Sequence, residues 1–202
     1  MITLAVFWII WCILHSFLIS RVAHITAKRI LGHYYPLYRL FYVGFSVLTL
    51  IPVLWFQFSL PQQVLIPGSL LIYGIQAVLL FYAGFMFWAG AKVYDMNYFL
   101  GLTQWRNFKN QKEESNLPFH SNGILAYVRH PWYSGGIAFV WGVGALTDVY
   151  LMTRIILTVY IVVGTLLEES RLEKELGSGY KEYCRNVPML IPWKYYSKRF
   201  NR

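Results

Sequence analysis

Two charged pairs stand apart in a sequence that carries little charge: Arg129–His130, directly before Pro131, and Glu168–Glu169. Ionisable groups beside lipid-length apolar runs are costly to keep and mark function by default. The full set is His15, Arg129, His130, Arg154, Glu168 and Glu169. A guanidinium and an imidazole facing two carboxylates make a polar pocket bounded by lipid-facing helices, with Arg129 and Glu168 the candidates for a catalytic role. Structural duties compete for the same residues. Arg129 and His130 are also suited to anchoring a helix at the interface, and Glu168 stands at i, i+3 to Arg171. Adjacent glutamates point about 100° apart on a helix, so Glu168 and Glu169 cannot face one pocket equally. His15 reads as a polar group satisfied against a neighbouring helix, and Arg154 as a side chain snorkelling to the outer interface. His15, His24 and His33 recur every nine residues, which turns successive rings to opposite sides of a helix and gives no metal signature.

The elements that must position these groups are membrane helices. Of 202 residues, 57% are hydrophobic, 19% aromatic and 13% charged, where a soluble domain carries about 25% charged residues. Mean hydropathy is +0.43. No Asp, Glu, Lys or Arg occurs in 1–20 or in 40–91, and a crossing takes about 20 apolar residues. Spans are expected near 2–20, 40–58, 69–91, 131–147 and 149–167. The N-terminal run lacks a basic leader and a small-residue cleavage site, and is read as a retained first span. The fold class is therefore all-α integral membrane, with about five transmembrane helices, a tight hairpin of spans 4 and 5, and a C-terminal cytoplasmic amphipathic helix. Residues 1–202 read as a single membrane domain: a three-span part (1–91), a cytoplasmic loop (92–130), the hairpin (131–167) and a tail (168–202).

The formal charge of +9 follows the spans rather than a basic face, which argues against nucleic acid as a partner. Lys and Arg number four after span 1, five in 92–130 and eight from 168 onward, with none in 59–68. That alternation puts the N-terminus outside, and the C-terminus and both charged pairs on the cytoplasmic side. Cys12 and Cys184 form neither a disulfide framework nor a metal cluster. Gly135, Gly136, Gly142 and Gly144 suit close helix approach in lipid. After span 5, Leu172, Leu176, Tyr180 and Tyr183 recur at helical spacing around a break at Gly177–Gly179, and the apolar VPMLIPW of 187–193 follows.

The stretch GILAYVRHPWYSGG (123–136) and, after it, EESRLEKELGSGYKEYCRNVPMLIP from Glu168 resemble the isoprenylcysteine carboxyl methyltransferase and phospholipid methyltransferase superfamily, with a looser likeness to its NnrU-like branch in the first 110 residues. The shared pattern falls on Arg129, His130, Pro131, Tyr133 and Gly135, on Glu168 and Glu169, and on Gly177, Tyr180, Tyr183, Val187, Pro188, Ile191 and Pro192. The resemblance implies a membrane methyltransferase using S-adenosylmethionine at the cytoplasmic face. It implies cofactor contacts from Leu117, Pro118, Phe119 and His120, from His130, Pro131, Trp132 and Tyr133, and from Glu168 or Glu169, with the V-P-x-x-I-P tail folding over the cofactor. A carboxylate suits the ammonium group of such a cofactor, and aromatic faces suit a sulfonium. The implied partners are membrane lipids and an apolar or membrane-soluble acceptor, whether a thiol, a carboxylate or a lipid.

Two departures narrow the acceptor. Leu125 stands where many relatives have a tyrosine. Val163, Gly164 and Thr165 offer no arginine where prenylcysteine-specific members carry one for the substrate carboxylate. Sterol reductases that bind NADPH share R-H-P-x-Y, but are longer and show an aspartate–glutamate pair instead of Glu168–Glu169. A non-catalytic membrane protein is the third reading.

Overall fold

The computed structural model describes residues 1–110 and 121–193, and the expected cofactor contacts Leu117, Pro118, Phe119 and His120 lie outside the described residues. It is 79% helical, and four helical stretches are long and apolar enough to cross a membrane. Their outward faces are apolar: Leu70 is 89% exposed and Phe81 81%. Surface of that kind belongs in lipid.

The chain forms two compact units, Met1–Gln63 with Asp95–Pro118 and Val64–Tyr94 with Phe119–Arg202. In the first, α1 (Ile2–Ile19) runs into the amphipathic α2 (Arg21–Leu31), capped by the Ser20 hydroxyl, which accepts from the Ala23 N–H; α3 (Tyr38–Ser59) then packs back on α1. Polar pairs hold these helices together where water is absent. Trp8 donates its ring N–H to Gln57 Oε1 at 2.9 Å, and His15 lies 2.8 Å from the Tyr42 hydroxyl and 3.2 Å from Ser46 Oγ. His15 is thus the satisfied intramembrane group its position led us to expect.

The second unit carries the site. It opens with β1 (Val64–Ile66) and α4 (Leu70–Ala91). The first unit's α5 (Met96–Phe99) and α6 (Leu102–Lys109) intervene in sequence. The second unit resumes with α7 (Pro131–Gly142), β2 (Leu146–Thr147), α8 (Asp148–Leu176) and α9 (Ser178–Asn186). Helices α4 and α7 lie antiparallel and in close contact. A Cβ placed on Gly135 would meet Met86 Cβ at 3.0 Å, and one on Gly142 would meet Leu80 Cγ at 2.9 Å. Across this seam Tyr82 and Ser134 share a hydrogen bond of 2.7 Å, and Trp132 donates to the Phe87 carbonyl at 3.2 Å.

The expected fourth span is shorter than its apolar run. Its helix ends at Gly142 instead of continuing to Thr147. Its 12 residues rise about 18 Å, against a hydrocarbon core of about 30 Å. Gly144, at φ +78°, turns the chain into β2, which pairs antiparallel with β1. Arg154 makes this early ending tenable. It does not snorkel: it is 1% exposed, and it donates to the carbonyls of Val140 (3.1 Å), Val143 (2.7 Å) and Gly144 (3.0 Å). A helix end in lipid must satisfy its last carbonyls internally, and the guanidinium fork supplies the donors.

Candidate functional site

The site forms where the N-terminus of α7, the last turns of α8 and the segment after α9 meet. Pro131 opens α7 as its first residue, where a missing N–H loses no helical bond. It also holds His130 in a non-helical conformation, φ −124° and ψ 69°. Arg129 and His130 therefore project from the last extended residues before a helix start. Some 40 residues later, α8 delivers Glu168 and Glu169 to the same place.

The two glutamates divide the work, as their angular separation requires. Glu169 accepts a forked pair from Arg129, Nε to Oε1 at 2.5 Å and Nη2 to Oε2 at 2.8 Å, and its Oε1 also lies 3.1 Å from His130 Nε2. The Arg129 and Glu169 side chains are 8% and 17% exposed. Burial works against the guanidinium's charge, but the hydrogen bonds and charge of Glu169 outweigh it and raise its pKa. His130 moves the other way. Burial lowers it from the ordinary value of 6.5, the charges of Glu168 and Glu169 offset only part of that, and Arg129 opposes protonation further. At neutral pH the contact between His130 and Glu169 is a hydrogen bond from a neutral imidazole.

Glu168 faces the other way round the helix. It accepts from the Tyr133 hydroxyl at 2.6 Å and makes no ion pair among the described residues. Its expected alternative partner, Arg171, pairs with Glu175 instead. Tyr133 is 37% exposed and stacks on the His130 ring, centroids 5.4 Å apart. The charge of Glu168 reaches Tyr94, whose phenol is raised chiefly by burial and next by this carboxylate. A partly exposed carboxylate with tyrosine rings on its flanks is an environment for an organic cation.

The tail closes the arrangement by its backbone. Arg129 N–H donates to the Pro188 carbonyl at 3.0 Å and His130 N–H to that of Met189 at 3.1 Å. The guanidinium's remaining nitrogen donates to the carbonyls of Cys184, at 2.9 Å, and of Val187. Tyr183, its phenol pushed by burial up to about 12, donates to the Leu125 carbonyl at 2.6 Å.

Comparison with known proteins fits this geometry. The chain is 31% identical over 179 residues to methanethiol S-methyltransferase 2 of Bradyrhizobium diazoefficiens, covering 86% of this chain and 67% of that protein. This chain belongs to the methanethiol S-methyltransferase family. It is also 32% identical over 167 residues to methanethiol S-methyltransferase 1 of the same organism, and 31% identical over 167 residues to the methanethiol S-methyltransferase of Crocosphaera subtropica. Those alignments cover 79% and 78% of this chain but 56% and 62% of the relatives' own lengths. No family profile matches the chain, and no solved structure matches it significantly. The methanethiol S-methyltransferase family lies within the isoprenylcysteine-methyltransferase-like membrane proteins that the R-H-P and E-E motifs resemble.

Within this methanethiol S-methyltransferase-family chain, the structure brings together Arg129, His130, Tyr133, Glu168 and Glu169. Pro131 is fully buried, and the Trp132 ring lies against Gly90, where an added Cβ would collide with it. Tyr94 was missed. Its only mark in the sequence is an aromatic residue just past the end of an apolar run, a pattern shared with many interfacial aromatics. The roles of the Cys184 and Val187 carbonyls have no side-chain signal at all.

Proposed function

We propose that the chain is a membrane methyltransferase that uses S-adenosylmethionine to methylate a small thiol, methanethiol or a close analogue of it. The observation that carries this reading is the inequality of the two glutamates: Glu169 is saturated by Arg129 and His130, while Glu168, beside Tyr133 and near Tyr94, makes no ion pair among the described residues. These residues fit the cofactor, with Glu168 meeting its cationic groups and the tyrosine rings flanking them; Leu117–His120 would add backbone contacts, as the family resemblance implies. The cofactor supplies an activated methyl group on sulfur. The protein supplies alignment and exclusion of water, the dominant contributions for an in-line transfer in which charge is neutralised.

A small, uncharged acceptor follows from the site's cations. Arg129 spends its nitrogens on Glu169 and on the carbonyls of Cys184 and Val187, and 163–165 contains no arginine. Neither place offers a cation to an acceptor's carboxylate. The relatives' printed names, methanethiol S-methyltransferases, point the same way. The charge alternation supports a cytoplasmic site and C-terminus with the N-terminus outside.

The test is calorimetric titration of detergent-purified protein with S-adenosylhomocysteine, alongside headspace detection of dimethyl sulfide formed from methanethiol. Saturable binding, lost or weakened at least tenfold in Glu168→Gln and not reproduced by NADPH, is expected. Absent binding by folded protein, or binding of NADPH in its place, would overturn the reading.

A further inference from the structure

The methyl-transfer reading leaves one chemical need unassigned. An alkanethiol is largely protonated at neutral pH, since thiols such as cysteine titrate near 8.5, and the thiolate is the competent nucleophile. Some group must take the proton.

His130 is held as such a group is held. Its backbone N–H is fixed to the Met189 carbonyl at 3.1 Å, and its own carbonyl accepts the Ser134 N–H at 3.0 Å. Its ring lies on Tyr133, the residue that binds Glu168. Glu169 Oε1 already receives Arg129 and can only accept, so the 3.1 Å contact assigns the ring proton to His130 Nε2. Nδ1 therefore carries the lone pair, and it makes no hydrogen bond among the described residues. A carboxylate fixing one ring nitrogen so that the other can accept a proton is the logic of an orienting acid behind a histidine base.

We infer that His130 is the general base for the acceptor thiol, with Glu169 its positioning residue; the inference rests on the methyl-transfer reading above. As the thiol sulfur forms its bond to the donor methyl, the methyl–sulfonium bond breaks and its electron pair stays on the departing, now neutral, sulfur. The thiol proton passes to His130 Nδ1 and from the imidazolium to water. The groups that bear on this charge are Glu168 and Glu169 from α8, Arg129 beside it in the chain and Tyr133 from α7. The two carboxylates favour the imidazolium, while burial and Arg129 keep the resting ring neutral and ready to accept. Because its folded pKa lies below 6.5, the base is available throughout the neutral range, and activity should fall only as acid protonates it.

The deciding experiment compares wild type with His130→Gln, in which the amide retains a donor for Glu169 but has no base. Acceptors are an alkanethiol and thiophenol, which is acidic enough to be largely thiolate at neutral pH. The expected result is kcat/KM for the alkanethiol reduced by about 10²- to 10⁴-fold, partly restored at alkaline pH, with thiophenol turnover within about tenfold of wild type and S-adenosylhomocysteine binding retained. Equal losses with both thiols, or loss of cofactor binding in a folded variant, would overturn the assignment. Should the variant not fold, the wild-type pH profile decides: kcat/KM for the alkanethiol must fall on the acid side below 6.5, and a flat profile overturns it. A wild type that binds no S-adenosylhomocysteine and methylates no thiol overturns the underlying reading itself, a different outcome from either.

Discussion

Glu168 and Glu169 are neighbours in sequence with different duties, and their substitution should separate binding from stability. Removing Glu169 strands Arg129, 8% exposed, without its carboxylate. Breaking one side of a buried pair costs about 3–5 kcal/mol, so Glu169→Ala should lower the unfolding midpoint in detergent sharply. Glu168→Gln keeps an acceptor for Tyr133, and its midpoint should stay close to wild type while its cofactor affinity falls. Equal midpoints for the two variants would show that Glu169 is not the strut described here. That both glutamates meet the 129–133 segment was legible from charge rarity and the hairpin. Which one is engaged was not, because two residues 100° apart on a helix are equivalent until the neighbours on each side are known.

At the level of elements, α7 is where reading and structure part. The apolar run continues past Gly142 to Leu146, so composition alone extends the helix. What ends it is a conformational fact, the positive φ of Gly144, together with donors from Arg154, a residue of another helix. Arginine at 154 was visible, but its target was not, since snorkelling and carbonyl capping leave the same trace in a sequence. Arg154→Met should destabilise the protein by about 2 kcal/mol by leaving carbonyls unsatisfied, seen as a lower thermal midpoint; an unchanged midpoint would mean that water or lipid serves those carbonyls equally well. By contrast the ends of α1, α3 and α4 fall within a few residues of the expected spans, because charge-free runs bounded by polar residues leave little choice.

For the whole molecule, the orientation proposed above rests on the placement of basic residues, and single-cysteine labelling from either side of intact cells tests it. With Cys12 and Cys184 replaced, a cysteine in 61–63 should react with an impermeant reagent applied outside, and one in 181–186 should not; the reverse pattern would invert the orientation and place the candidate site outside. Helicity and membrane residence were legible from hydropathy, whereas the two-stranded pairing of β1 with β2 was not, since three residues of strand carry no periodicity to detect. The carbonyls that pin Arg129 and His130 belong to Cys184, Val187, Pro188 and Met189. These four residues follow the last membrane-length helix among the described residues, so a chain cut between α8 and Val187 should still reach the bilayer while leaving Arg129 and His130 without the carbonyls that fix them.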